Sequence, residues 1–387
     1  MHRITGRLQF LRAVALVGTF GAMILVGPGA RAASIIISRI YAYDGLQTST
    51  ILDSRSSILN VDVAGSRIVW QQSGTGLSQV YMHSDGQTTQ LGDPSQSRFG
   101  PHVSETHVLY SGIVDGTVQL FLNDGVSTSQ ITNNALIKDN VKLSGDTALW
   151  MMGGDVYTYR NGETRQLTHS TPTFHVSQPS ISDSRVAWVG QEQGTDSEIY
   201  LFDGANTSQI SDNNVNDGFP DVSDSLLVWA RISDPDADLM LYDGIQTAQI
   251  WPKGNGDVAL LHDRVAWSTG PGGVNDIYLY QNGNIERIIE TPAYDVRPSL
   301  SQTWLAWQTL NPANLKTVAI QVYDGSSVFS LPSSPDMQGP IASDDLIVTW
   351  ESYQIPEPSS FFLAIGIAII MGAAKFASSR KKVAGTG

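Results

Sequence analysis

The side chains best suited to chemistry are few in this sequence, and they stand apart. Asp234, Asp236 and Asp238 occupy alternate positions in "ISDPDAD", a spacing of oxygen ligands that suits Ca2+. Leu239 takes the sixth position, where an EF-hand loop needs Gly, so the plainer expectation is a solvated surface turn. His169 and His175 share the stretch "THSTPTFH". A metal there would need a third ligand from elsewhere, and a catalytic His would need a nucleophile or an oriented acid. Neither is visible. Trp251 and Trp304 break the regular aromatic pattern of the chain, and an exposed Trp at either place would suit stacking on a sugar ring. Packing against neighbours is the competing expectation. There is no Cys, no G-x-S-x-G elbow, no P-loop and no dinucleotide fingerprint. These residues name no catalytic set and call for no cofactor, with Ca2+ the one candidate metal.

The elements that must position these residues come from one unit, repeated. Short apolar runs end in an aromatic residue at Trp70, Tyr110, Trp150, Trp188, Trp229, Trp267, Trp307 and Trp350. Successive gaps are 38–43 residues. A second marker has the same period: Asp44-Gly45, Asp85-Gly86, Asp124-Gly125, Asn161-Gly162, Asp203-Gly204, Asp243-Gly244, Asn282-Gly283 and Asp324-Gly325. Asp-Gly and Asn-Gly between β-rich runs signal a hairpin, because both central residues tolerate positive φ. Each unit reads as four strands: a "FPDVS" type (219–223), the aromatic-ended run, a "DIYLY" type (276–280) and a "TAQI" type (247–250). Four strands per period of about 40 residues predict a propeller blade. The aromatic positions are expected to pack between blades.

The first copy, "YAYDGLQTSTI" (41–51), holds only strands three and four, and the last, "GPIASDDLIVTWES" (339–352), only strands one and two. Either half alone would expose strand edges. Joined, they complete a blade. The expectation is an all-β, eight-bladed propeller over residues 33–354, closed by an N-/C-terminal composite blade; without that clasp seven blades remain. The unit resembles the TolB-type, WD40-like (PD40) β-propeller repeat over roughly residues 38–353. That resemblance implies a fold; propellers of this kind serve as binding surfaces, hydrolases, lyases and peptidase gates. The connection entering strand one carries Asp139, Asp217, Asp257 and Asp295, expected either to cap turns or to hold a cation near one channel mouth.

The formal charge is −14, with the basic residues gathered at the ends. Four Arg lie in residues 1–32 and four Lys or Arg in the last thirteen residues, and no acid lies in 1–32 or 358–387. Without those eight, fifteen basic residues face thirty-seven acidic ones. Such a body repels nucleic-acid phosphates, so no nucleic-acid partner is expected.

The ends read as addresses. "MHRITGRLQFLR", an apolar run and "GARA" form a secretory signal peptide over 1–32. Residues 361–374 are an apolar run of fourteen, about 21 Å as a helix and short for a bilayer core of about 30 Å unless Lys375 snorkels and the span reaches Ala377. The basic tail then stays cytoplasmic and the body outside. Pro356-Glu357-Pro358, the apolar run and the basic Arg380, Lys381 and Lys382 together resemble a PEP-CTERM sorting signal over 355–382. This resemblance implies processing by an exosortase near P-E-P, an exopolysaccharide-making Gram-negative host, passage through the secretion machinery, and a cell-surface or extracellular-matrix (biofilm) destination. Membrane contact through the tail would be transient, before processing. The expected function is a binding module for extracellular polysaccharide or an envelope protein, more plausibly not an enzyme; a polysaccharide lyase or hydrolase and a passive matrix protein are the alternatives.

Overall fold

The computed structural model describes residues 34–356 apart from 75, 234–235, 253–256, 271–273 and 344. The signal peptide and Glu357, Pro358, Arg380, Lys381 and Lys382 lie outside the described residues, as does the apolar run 361–377. Among the described residues no helix is long and apolar enough to cross a membrane.

These residues form thirty-two strands, numbered in chain order, in eight antiparallel four-stranded sheets. The sheets are the blades of an eight-bladed propeller. Blades 1 to 7 are sequential. Blade 8 is composite: β31 (Met337–Ala342) and β32 (Ile347–Pro356) supply its first two strands, and β1 (Ser34–Tyr43) and β2 (Thr48–Ser54) its last two. The first strands of neighbouring blades touch around the ring and so line the central channel; the fourth strands form the outer rim.

β1 and β32 pair over ten residues, from Ser34 opposite Pro356 to Tyr43 opposite Ile347. Buried Glu351 fastens this seam. It accepts from Arg39 Nη1 at 3.1 Å, Tyr41 Oη at 3.0 Å and Ser334 Oγ at 2.5 Å. Arg39 also reaches Asp53 at 3.2 Å, and Ser38 Oγ lies 2.8 Å from Ser352 Oγ.

The second strand of each blade is apolar because both its faces are covered. Its aromatic residue packs toward the preceding blade: Trp70 sits with Ile40 and Val348 of blade 8. In five blades the aromatic stacks on its cross-strand neighbour, Trp70 on Tyr81, Tyr110 on Phe121, Trp150 on Tyr157, Trp188 on Tyr200 and Trp267 on Tyr278, with centroids 5.6–6.2 Å apart. Blade 8 departs from the sequence reading. Register places Thr349, not Trp350, opposite Tyr41 at the aromatic position. The run "LIVTW" carries one extra residue, and a step of one residue along a strand reverses the face. Trp350 therefore packs with the blade 1 side, half-buried beside Val348, while buried Thr349 takes the usual aromatic site.

The Asp-Gly and Asn-Gly turns divide into two kinds. Asp85, Asn161 and Asn282 have φ of about 52° and are followed by Gly at 72–83°, the two-residue turn expected. At Asp44, Asp124, Asp203, Asp243 and Asp324 only the Gly has positive φ, and the carboxylate accepts from the backbone N–H groups two and three residues on. Those N–H bonds hold all five carboxyls below the usual range, Asp324 at about 2.

The first strand is bulged in every blade but the sixth. Asn60, Gly100, Asn140, Gln178, Phe219, Arg297 and Gly339 sit at the bulge with φ of 48–94°. Two residues further on, side chains tie blades 1, 4 and 7 to the next. Asp62 accepts from Val103 N at 3.0 Å, Ser180 donates to Asp221 at 2.6 Å, and Ser299 accepts from Ala342 N at 2.9 Å. The Ser that ends the strand repeats this: Ser104, Ser223 and Ser343 donate to Gly145 O, His262 O and Gly65 O.

Glu351→Ala should lower unfolding stability by about 1–3 kcal/mol, since it strips the seam of a buried acceptor while leaving Arg39 in place. Urea titration reads this directly; an unchanged midpoint would show that the seam does not govern stability. A second expectation concerns the inner ring. Burial raises the Asp62 carboxyl from 3.8 to about 6, whereas burial, and then Lys142, lowers His102 from 6.5 to about 4. The Asp62 contribution to stability is full below about pH 4 and lost as pH rises through about 6; that of His102 is full above about pH 6.5 and lost as pH falls through about 4. Each is on the order of 3 kcal/mol, so they offset in the native chain. Asp62→Asn should leave stability falling with acid from pH 6.5 to 4, and His102→Gln should leave it rising. Slopes of the same sign in the two variants would contradict this assignment.

Candidate functional site: the channel mouth and the seam cleft

The two ends of the ring differ in chemistry. One carries the turns between strands one and two and the Asp-Gly and Asn-Gly turns, all short and alike. The other carries the connections between strands two and three and those between blades. Here lengths vary, from two residues at Asp115-Gly116 and Gly153-Gly154 to six at 311–316. Variable loops on a rigid ring are where recognition concentrates, and we call this the loop face.

Side chains exposed on the innermost strands face the channel or its mouth. They include Leu59, Asn60, Asp139, Asn140, His175, Ser177, Val258, Arg297 and Gln338, with Gln178 and Phe219 half-buried. The bulge contributes Asn60, Asn140, Gln178, Phe219 and Arg297, one per blade. Amides, a guanidinium and an aromatic ring make a wall suited to hydrogen bonding and stacking rather than to bond breaking.

At the loop face between blades 7 and 8 the channel wall opens into a cleft of about 350 Å3. Arg297, Gln308, Asn314, Lys316, Asp336, Gln338 and Ser352 are among its lining residues. Its parts are held in place. Gln308 is buried, and its amide nitrogen donates to Thr317 Oγ1 at 2.5 Å and Met337 O at 2.9 Å. This fixes Gln308 Oε1 toward Arg297 Nη1, 3.2 Å away, and Gln338 of the next blade accepts from the same nitrogen at 3.3 Å. Loop 311–316 is braced by Leu315 N to Asn311 O at 2.8 Å and by Lys316 N to Asn314 Oδ1 at 2.9 Å. Lys316 Nζ pairs with Asp336 at 2.6 Å across the opening. An exposed, oriented guanidinium at the junction of channel and cleft can bind a carboxylate or an array of hydroxyls.

The residues singled out in the sequence fall elsewhere. Trp251 ends the fourth strand of blade 5, half-buried against Tyr278 at 4.4 Å and Trp267 at 5.7 Å. Trp304 packs edge-on to Tyr43 at 5.9 Å and close to Gly45, across the blade 7–8 boundary. Packing accounts for both positions. His169 and His175 are exposed on the blade 3–4 connection and the strand it enters. Asp234 and the side chain of Asp236 lie outside the described residues, and Asp238 is bound to Arg231 at 2.7 Å. Among the described residues no group of three His, Asp or Glu could hold a metal ion.

Of the four acids entering strand one, Asp217 and Asp295 are fully buried. Each accepts the indole N–H of its own blade's Trp, Trp229 and Trp307, at 3.0 Å. Blades 5 and 7 are the ones whose cross-strand neighbour is Met240 or Gln321 in place of an aromatic. Asp257 accepts from Arg297 N of the next blade at 3.0 Å, and Asp139 is exposed in the channel. Burial raises the Asp295 carboxyl, opposed by bonds from Thr309, Thr291 and Trp307. Arg297, Gln308 and Gln338 went unmarked in the sequence.

Neither a family model nor a curated protein matches the sequence. Solved structures match in fold. The β-propeller domain of the Trilobed protease from Pyrococcus furiosus aligns at a TM-score of 0.50 and 9% identity, over 72% of this chain and 98% of that one. A structure from a study of two prolyl endopeptidases aligns at 0.52 and 10% identity, over 73% of this chain and 51% of that one. A TolB-type structure from Agrobacterium tumefaciens aligns at only 0.35 and 14% identity, over 57% of this chain and 90% of that one, too low to argue from. The chain has the eight-bladed propeller fold by its own sheets, and it resembles peptidase propeller domains in that fold; identities this low establish the fold alone.

Proposed function

We propose that this protein is an exported binding module that recognises extracellular polysaccharide, with an envelope protein as the second ligand class. The observation that supports it most is the oriented Arg297 in the seam cleft, backed by buried Gln308 and joined to a channel wall of amides. Polar side chains such as Asp62, Ser180 and Ser223 are committed to holding blades together, whereas Arg297 and the channel-wall amides Asn60, Asn140 and Gln338 are exposed. In an acidic body, a lone guanidinium at the mouth selects the carboxylate or hydroxyl groups of a ligand and not its bulk charge. The sorting-signal reading of 355–382 adds the destination: processing by an exosortase in a Gram-negative envelope.

Co-sedimentation of residues 33–356 with the exopolysaccharide of the producing cells tests this, with polymer length followed in parallel. Binding without shortening is expected. Arg297→Ala should weaken it about 10–100-fold, the usual weight of a charged hydrogen-bonding group, while Asp324→Asn on the opposite face should leave it unchanged. Shortening of the polymer would move the reading to a lyase or hydrolase. Equal binding by Arg297→Ala would remove the cleft from the account.

A further inference from the structure

The composite blade decides where the chain's two ends leave the ring. In blades 1 to 7 the second strand runs toward the loop face and the third returns from it. In blade 8 those strands are β32 and β1, so Pro356 and Ser34 stand side by side where a loop between strands two and three would be. These two strands are ten residues long, against six to eight for the second strands of the other blades. Ser352, four residues before Pro356, lines the seam cleft. The sequence puts an apolar run on each side of this point, within 13–27 and from 361 onward.

From this topology we infer that the loop face is a membrane-facing surface and that its partner is the headgroup layer of a bilayer. This rests on the reading of 361–377 as a membrane segment, and it concerns the exported chain at the stage before an exosortase removes that segment. Only residues 357–360 separate Pro356 from the apolar run. Four residues reach at most about 14 Å, so an inserted tail holds the loop face against the lipid surface. The seam cleft, with Arg297 and Lys316, then opens toward the space just above the membrane.

The chain has no Cys, so single labels can be placed without other changes. Ala313→Cys lies in the exposed loop 311–316, and Ala205→Cys in an exposed turn of the opposite face. The full chain, labelled at either with an environment-sensitive fluorophore, is reconstituted into phosphatidylcholine–phosphatidylglycerol vesicles bearing a headgroup nitroxide. Strands of about seven residues separate the two faces by roughly 23 Å, so the label at 313 should lose about half its emission and that at 205 almost none. Equal quenching, or stronger quenching at 205, overturns the orientation. A chain that does not float with the vesicles overturns it too, by removing the membrane segment. Neither result touches the polysaccharide assay, which uses residues 33–356 without the tail.

Discussion

Closure of the ring through β1 and β32 is the constraint on which everything else depends. A blade is apolar on both faces and needs a neighbour on each side. A row of blades can meet that need throughout only by becoming a ring. Here the chain starts and stops halfway through a blade, so the last pair of faces is covered only when the two termini pair with each other. Residues about 310 apart in sequence must find one another, as Arg39 and Glu351 do. That encounter carries a loop-closure cost, which ten ladder pairs and a buried carboxylate offset. The same closure places both chain ends, the seam cleft and the longest of the fully described connections between second and third strands in one sector of the loop face. Fold and candidate site are thus consequences of a single pairing.

Between the blades one recurring demand is met in two ways. A large aromatic from every second strand but that of blade 8 is buried against the previous blade, and an indole brings an N–H with it. Where the third strand offers a ring, the two stack, and Trp70, Trp150 and Trp267 keep their N–H without a hydrogen-bond partner among the described residues. Where it offers Met240 or Gln321, a buried Asp from the first strand takes the N–H. Offset stacking and a charge-assisted hydrogen bond are alternative means to hold the same ring.

The period near 40, the four-strand unit and the half-unit termini were legible in the sequence because they rest on local patterns: apolar runs, turn dipeptides and their spacing. What was not legible depends on register or on neighbours distant in sequence. The extra Thr349 in "LIVTW" shifts Trp350 to the other face, and only pairing shows it. The Asp-Gly turns look uniform, yet five of the eight use the carboxylate as a cap in place of two left-handed residues. Asp217 and Asp295 read as turn caps or as cation ligands at the channel mouth; each meets a Trp twelve residues away. Arg297, Gln308 and Gln338 are ordinary polar residues until three strands from two blades bring both amide oxygens within 3.3 Å of the Arg297 guanidinium. Trp251 and Trp304 drew notice for breaking the pattern, and neighbouring blades supply the rings and glycine they pack on.

The most direct test of the account is native-state hydrogen exchange of the β1 amides, Ile35 to Tyr43, against those of interior second-strand residues such as Val69, Val228 and Ala266. If closure holds the ring together, both sets exchange only by global unfolding and share one protection free energy. If β1 and β32 open at far lower cost while the interior strands keep their protection, the seam is an ornament on a ring that stands without it, and the central claim fails.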